Sequence, residues 1–394
     1  MSKSMEPVIK TGSSERADSK KAVKELYDAI YQADVSFAVF YCSANYDLKA
    51  LEEALAEKFA DIPLIGCTTA GEIGPNGLSD DSLTGFTICS DKITVATTLI
   101  STDNFSSSNV SNACHKLNRE REAVLPEARS SNKEWENFLF LICDGVSRME
   151  ERIVSTLYAE AFGTPIVGGS AGDHDRFVKT HVFYQGKFHE SSSLISLVST
   201  SLPFSVFKTE NFVEKDGEKM VVTESNSSQR IVTEINGLPA SEGYAEAFEI
   251  DEEDLSLGFY AAHPVAVKLG GNLFIRSITQ ATKKLTDDPP GRIQFACAID
   301  TGIVLTTVEE VDMVSNLADC FEKVQEEIGE PILTLGFDCM LRKVRYKSRN
   351  IRDEIGKIMQ RNHVVGFHTY GEQYSSLHVN QTFTAVAFGK GSAE

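Results

Sequence analysis

The chain reads as a mixed α/β (α+β) protein built on a β-α-loop-β unit used three times, and three observations point there. A glycine-rich phrase recurs as Pro63–Glu72 (PLIGCTTAGE), Pro165–Asp173 (PIVGGSAGD) and Val364–Glu372 (VVGFHTYGE). Each copy follows an apolar run that closes on a cysteine: Phe37–Cys42, Phe138–Cys143 and Ile332–Cys339. From Cys42 to Gly66, Cys143 to Gly168 and Cys339 to Gly366 the separations are 24, 25 and 27 residues, room for one helix and its turns. Repeated loops after repeated strands are where such a fold assembles a site.

Taken in order, residues 1–20 are expected to be a flexible leader. Lys21–Gln32 is an amphipathic helix and Val35–Cys42 a strand. In Asp47–Phe59, Leu48, Leu51, Leu55 and Phe59 recur three and four apart, which predicts a helix with Asp47 as its N-cap. Strands are expected at Ser82–Ser90 and Ile93–Ile100. The second unit repeats the order, with a strand at Phe138–Cys143, a helix at Met149–Phe162, and strands at His181–Tyr184 and Ser193–Val198. After Pro203 the pattern changes to short strands with polar turns: Val221–Thr223, Ile231–Ile235, the turn Asn236-Gly237, then Val265–Lys268 and Leu273–Ile278. Ser315–Glu327 is a helix feeding the third unit, and Thr382–Phe388 the last strand. The expected division is 21–235 and 236–394.

Composition excludes several classes. Thirty-eight Lys and Arg against 57 acids leave a net charge of −19, which repels phosphate, so no nucleic-acid partner is expected. No run of about 18 apolar residues is present, so no membrane insertion is expected. The first residues lack a signal-peptide core. The eight cysteines are dispersed without a C-x-x-C pair, the usage of reduced thiols, and a cytoplasmic location follows as the expectation.

The three phrases admit two readings. Glycine permits tight turns and close backbone approach, while Ser and Thr cap exposed amides. Alternatively the backbone N–H groups and hydroxyls line a ligand cleft. Under that reading the cleft residues are Gly66, Thr68, Gly71 and Glu72; Gly168, Gly169, Ser170, Gly172 and Asp173; and Tyr370, Gly371 and Glu372. None of the phrases has a nucleotide-binding form. Ser170 lacks the G-x-S-x-G spacing and Cys67 has no base nearby in sequence, so no catalytic residue is assigned and the chain is expected not to be an enzyme. Among the histidines, His378 stands out on the polar side of the alternation from Leu377 to Phe388.

The segments DGVSRMEERI, PIVGGSAGDHDRF and FHTYGEQY…HVNQTFTAVAFG, together with GCTTAGEIG, resemble the FIST sensory family over nearly the whole chain. The resemblance implies a mixed α/β fold of two packed parts around a cleft. It also implies small-ligand sensing. In one stand-alone branch the implied function is a haem-based nitric oxide sensor that regulates autophosphorylation of a partner sensor histidine kinase. The haem would be non-covalent, since no C-x-x-C-H is present. Its axial ligand, and so the metal site, would be His378, with His174, His181 and His368 as rivals. The alternative is a FIST-type binding module for a small polar metabolite such as an amino acid. The reading leaves room for a homo-oligomer.

Overall fold

Three equivalent units and one inserted sheet make up the chain; the computed structural model describes residues 6–128, 135–161, 163–281 and 291–390. Unit one runs β1 (Val8–Ser14), α1 (Ser19–Ile30), β2 (Phe37–Ser43), α2 (Leu48–Lys58), β3 (Leu64–Thr69), the hairpin β4 (Glu72–Gly74) and β5 (Gly77–Ser79), then β6 (Leu83–Cys89). Unit two keeps that order: β7 (Ile93–Ser101), α3 (Ser107–Ala128), β8 (Glu136–Cys143), α4 (Glu150–Glu160), β9 (Ile166–Ser170), β10 (Val182–Tyr184), β11 (Lys187–His189) and β12 (Ser192–Thr200).

Unit three opens with β13 (Phe204–Lys208) and is then interrupted. The insert holds β14 (Phe212–Asn226), β15 (Ile231–Ile235), β16 (Leu238–Pro239), α5 (Ala240–Ala247), α6 (Leu257–Ala262), β17 (Val265–Leu269), β18 (Asn272–Arg276), β19 (Ile278–Ala281), β20 (Ile293–Phe295) and β21 (Val304–Glu310). Unit three resumes with α7 (Met313–Ile328), β22 (Pro331–Cys339), α8 (Met340–Arg349), α9 (Arg352–Arg361), β23 (Val364–Thr369), β24 (Glu372–Tyr374), β25 (Leu377–Val379) and β26 (Phe383–Gly389).

The three units exchange hairpins in a ring. Each six-stranded sheet has the same order: first strand, last strand, second, third, and then a hairpin from another unit. Unit one receives β10–β11 from unit two, unit two receives β24–β25 from unit three, and unit three receives β4–β5 from unit one. The β2–β3, β8–β9 and β22–β23 pairs are parallel, and the remaining pairs in these sheets are antiparallel.

Alternation explains why the central strands read as unbroken apolar runs. Phe37, Val39 and Tyr41 of β2 meet Phe138, Phe140 and Ile142 of β8 and Leu333, Leu335 and Phe337 of β22 in one core shared by all three sheets. The alternate residues Ala38, Phe40 and Cys42 face α1 and α2, while Leu139, Leu141 and Cys143 face α3 and α4. Asp47 caps α2 as expected, accepting from the Lys49 and Ala50 amides.

The mixed α/β class and the repeat are as the sequence reads. The pairing register refines the repeat: Ser43, Cys143 and Cys339 occupy equivalent positions, opposite Thr69, Ser170 and Thr369, so the cysteine of the first run is one residue out of step. The leader is corrected at Val8, because β1 pairs with β6 along its whole length and shields that edge. The expected boundary at 235/236 falls in the turn joining β15 to β16, inside a single sheet. The predicted helix Met149–Phe162 is α4, and residue 162 lies outside the described residues. Among the described residues no helix is long and apolar enough to cross a membrane.

Candidate functional site

The phrases are strands before they are turns. Gly66, Thr68, Gly168 and Gly169 lie in β3 and β9, and an added Cβ at Gly66 would strike the Phe40 carbonyl and ring on β2. That close approach, rather than a ligand, explains the glycine. At the strand ends the units grip one another through the backbone. Ala70 N donates to His368 O at 3.0 Å and His368 N to Gly71 O at 2.7 Å; Gly172 N donates to Thr68 O at 2.9 Å; Ser170 N donates to Gly371 O at 2.9 Å. Thr68, Glu72, Ser170, Asp173, Tyr370 and Glu372 are all buried. The expected open cleft lined by the phrases is therefore corrected to an interlock whose groups are spent on each other.

Units one and three place the same carboxylate device there. Thr69 donates to Glu72, whose other oxygen accepts from Ser82 N at 3.0 Å and Ser82 Oγ at 2.7 Å. Thr369 donates to Glu372, which accepts from Thr382 N at 3.2 Å and Oγ1 at 2.8 Å. Burial pushes these carboxyls up to about 7 for Glu72 and about 8 for Glu372, against the pull of their hydroxyl and amide donors. Unit two departs from the pattern. Between β9 and β10 the chain makes an excursion in which Asp173 accepts from the Phe177, Val178 and Lys179 amides and from the Tyr370 hydroxyl.

His378 joins a closed polar ring rather than a pocket. Its Nε2 lies 3.3 Å from Ala296 O and its Nδ1 3.4 Å from Gln373 Nε2. Gln373 donates to Ser170 Oγ at 3.0 Å, Ser170 to Glu150 at 3.4 Å, and Arg230 binds Glu150 at 2.6 Å and Ala296 O at 2.8 Å. The ring ties unit two, unit three and the insert together. Both nitrogens of His378 face protein partners, its neighbours are charged, and the Gly371 Cα lies against its ring, so a Cβ there would overlap Cε1. A haem needs a free donor and an apolar pocket, and this residue offers neither.

The rivals fit no better. His368 is fully buried 3.2 Å from Asp338, and His181 Nε2 sits 3.6 Å from Glu190. His174 borders a cleft with charged walls. Among the described residues no group of three or more His, Cys, Asp and Glu side chains is arranged to hold a metal ion. The axial-ligand expectation for His378 is thus corrected to an interface role. Replacing it with alanine is expected to cost about 1–3 kcal/mol through the loss of its two hydrogen bonds, while Ala296 O keeps Arg230 and Gln373 keeps Ser170; urea denaturation reads the loss. Haem-treated wild type and variant should give the same absorbance spectrum.

One cleft does gather all the bodies. About 370 Å³ in volume, it opens where Ala70 of the first turn, His174 and Asp175 of the unit-two excursion, Lys343 of α8 and Leu257 of the insert converge. These lie beyond the C-terminal ends of β3, β9 and β22, the end at which α/β sheets carry ligands. Lys343 Nζ donates to Ala70 O at 2.6 Å and pairs with Asp80, which Arg352 also approaches at 3.1 Å. Burial works against the Asp80 carboxylate, but these cations hold its pKa below the ordinary value. His174 Nε2 is 2.9 Å from Ser43 Oγ, and burial lowers its pKa against the attraction of Asp81. Its φ of 67° is left-handed, a strain that clusters at functional sites.

Sequence reading missed Lys343, Asp80 and Asp81. A usable signal was present: Arg342, Lys343, Arg345, Lys347, Arg349 and Arg352 crowd one short stretch of an otherwise acidic chain.

Comparison with known proteins gives three findings. The FIST N domain model matches residues 36–238 and the FIST C domain model residues 240–375. An uncharacterized protein of Methanocaldococcus jannaschii is 24% identical over 374 residues, covering 82% of this chain and 67% of its own length. The crystal structure of cyanuric acid hydrolase from A. caulinodans covers 97% of this chain and 99% of its own at 10% identity and a TM-score of 0.32. The expectation that the chain is not an enzyme is withdrawn, since it rested on the absence of sequence motifs alone, which decides nothing about activity. At this TM-score the likeness carries no argument for an activity either.

Proposed function

The chain belongs to the FIST family, whose domains are sensory modules of signalling-related ligand binding, and from that premise we propose that it senses a small zwitterionic metabolite such as an amino acid. The observation that supports this most is the cleft at Lys343. Lys343 and Lys347 line it together with Asp81 and Asp175, and Met340 and Leu257 add apolar surface. Charges of both signs around a few hundred Å³ suit a ligand that carries a carboxylate, an ammonium group and a short side chain. Lys343 has three N–H donors and uses them on Ala70 O and Asp80, so one is left for a ligand carboxylate.

The cleft is bounded by units one, two and three and by the insert, so a ligand there touches every body whose placement could carry a signal. The partner implied by the family resemblance, a sensor histidine kinase, is the proposed recipient. A ligand moves such an equilibrium only by binding one arrangement better than the other.

The test is a calorimetric titration with free amino acids. At least one should bind, and Lys343→Met should weaken it roughly ten- to a hundredfold, the loss of a charge-assisted hydrogen bond worth about 1.5–3 kcal/mol. Unchanged affinity in Lys343→Met, or no binding by any amino acid, sinks the proposal.

A further inference from the structure

Unit two lacks the Thr–Glu device, and the excursion that stands in its place brings His174 to the cleft at Lys343. The backbone there is anchored on both other units. His174 N donates to Thr69 O of unit one at 3.2 Å, and Asp173 N donates to the Tyr370 hydroxyl of unit three at 3.0 Å.

The hydrogen bonds of the ring settle its tautomer. Nε2 lies 2.9 Å from Ser43 Oγ and 3.5 Å from Asp81 Oδ1. Ser43 Oγ accepts from Asn45 N at 3.1 Å and gives its one proton to Asp81 at 3.2 Å, so toward the ring it can only accept. A lone pair on Nε2 would also face the Asp81 carboxylate. Nε2 therefore carries the hydrogen, and Nδ1 of the neutral ring is an acceptor. Nδ1 has no partner among the described residues and, unlike His181 Nδ1 and His368 Nε2, it is open to water. The His174 side chain is 19% exposed and lines the cleft, so this acceptor opens onto the space that Lys343 also borders.

Resting on the amino-acid reading of this cleft, we propose that His174 Nδ1 accepts from the ligand's ammonium group while Lys343 holds its carboxylate. The carboxylates nearby are weaker claimants: the Asp81 side chain is 62% exposed and Asp175 is exposed too, so water competes for both. His174 thereby selects for a free amine, since a ligand without N–H groups has nothing to give it. Protonation of the ring would put a charge and an N–H where the acceptor stands, so ammonium is turned away as pH falls. Burial lowers the His174 pKa from the ordinary 6.5; Lys343 and Arg176 add to this, and Asp81 and Asp80 oppose it. The ring is thus mostly neutral at pH 7.

Calorimetry on the full chain at pH 7 and pH 5 tests this, with each standard amino acid and with glycine betaine. The betaine keeps the carboxylate and the positive charge but has no N–H donor. At least one amino acid should bind at pH 7 and do so several-fold more weakly at pH 5, although its α-groups keep their charges between those values. Glycine betaine should not bind. His174→Gln, which keeps a donor for Ser43 but has no atom at the Nδ1 position, should lower the affinity roughly tenfold or more. His174→Asn, whose amide oxygen can stand there and which tolerates the φ of 67°, should recover part of it without the pH response. Binding that glycine betaine shares, that is equal at both pH values or that His174→Gln leaves intact would overturn the assignment while the cleft reading stands. A pH response that survives in His174→Asn would do the same, and would belong to Glu72, which holds its proton up to about 7 and feels the charge of Lys343. No binding by any amino acid would end both. The betaine and pH comparisons need no variant, so they decide even where a variant fails to fold.

Discussion

Replacing Arg230 with methionine is expected to destabilise the protein by about 3–5 kcal/mol, the cost of stranding a buried charge when its partner is removed. Arg230 reaches from the insert to Glu150 and Glu151 on α4, with a side chain 7% exposed against 1% for Glu150. Its pair with Glu150 is 2.6 Å long, and its second nitrogen binds Ala296 O. Burial alone would depress the guanidinium, but the two carboxylates reverse that and hold it firmly charged. Without it, Glu150 keeps Ser170 as its one side-chain donor among the described residues. The loss should appear as a lower urea midpoint and as protease cleavage within residues 212–310, because the ring that docks the insert is opened. Glu150→Gln in the same chain should restore part of the stability by removing the stranded charge. A loss below about 1 kcal/mol in Arg230→Met would show that the ring does not hold the insert.

The second large effect depends on pH. Both buried glutamates bind their protons more tightly folded than unfolded, Glu72 up to about 7 and Glu372 up to about 8, against an ordinary 4.5. Between those values the folded state carries more protons than the unfolded one, so stability falls as pH rises. Their contribution is complete below 4.5 and is lost as pH climbs through 7 and 8. The charge of Lys343 resists this for Glu72, and Asp338 adds to it for Glu372. One pKa unit is about 1.4 kcal/mol, so the pair amounts to several kcal/mol across the window. Urea midpoints measured from pH 5 to 9 should decline, and Glu72→Gln with Glu372→Gln should flatten the decline. A midpoint that rises over this range would contradict the assignment.

The repeat was legible because it is enforced by contact. Glycine recurs where β3 or β23 lies too close to its neighbour for a side chain, and apolar runs recur because β2, β8 and β22 are covered on both faces. The first strands VIKTGSS, ITVATTLIS and FSVFK share no phrase, since pairing to β6, β12 and β26 constrains backbone more than side chains. The hairpin exchange was illegible: three-residue strands such as Glu72–Gly74 leave no periodicity. His378 was noticed for the right reason and given the wrong role. Alternation marks a polar residue on a strand, but whether that face meets a cleft or another body is decided by β25 lying beside α4 and the insert. The cleft at Lys343 escaped because its residues come from five separate stretches, joined only by the fold.

The ring of exchanged hairpins also bears on how the chain can be made. A nascent chain that has emerged only through unit two can seat β10–β11 in the first sheet, yet β4–β5 has no sheet to enter until β23 appears near the other end. The second sheet waits likewise for β24. Two of three closures are therefore postponed to the end of synthesis, and the unclosed edges of β9 and the unpaired hairpin stay available to other chains meanwhile. The long insertion in unit three lengthens that wait. Ring closure makes the finished molecule hard to dismantle piecemeal, and for the same reason its assembly offers few partly finished states that are safe.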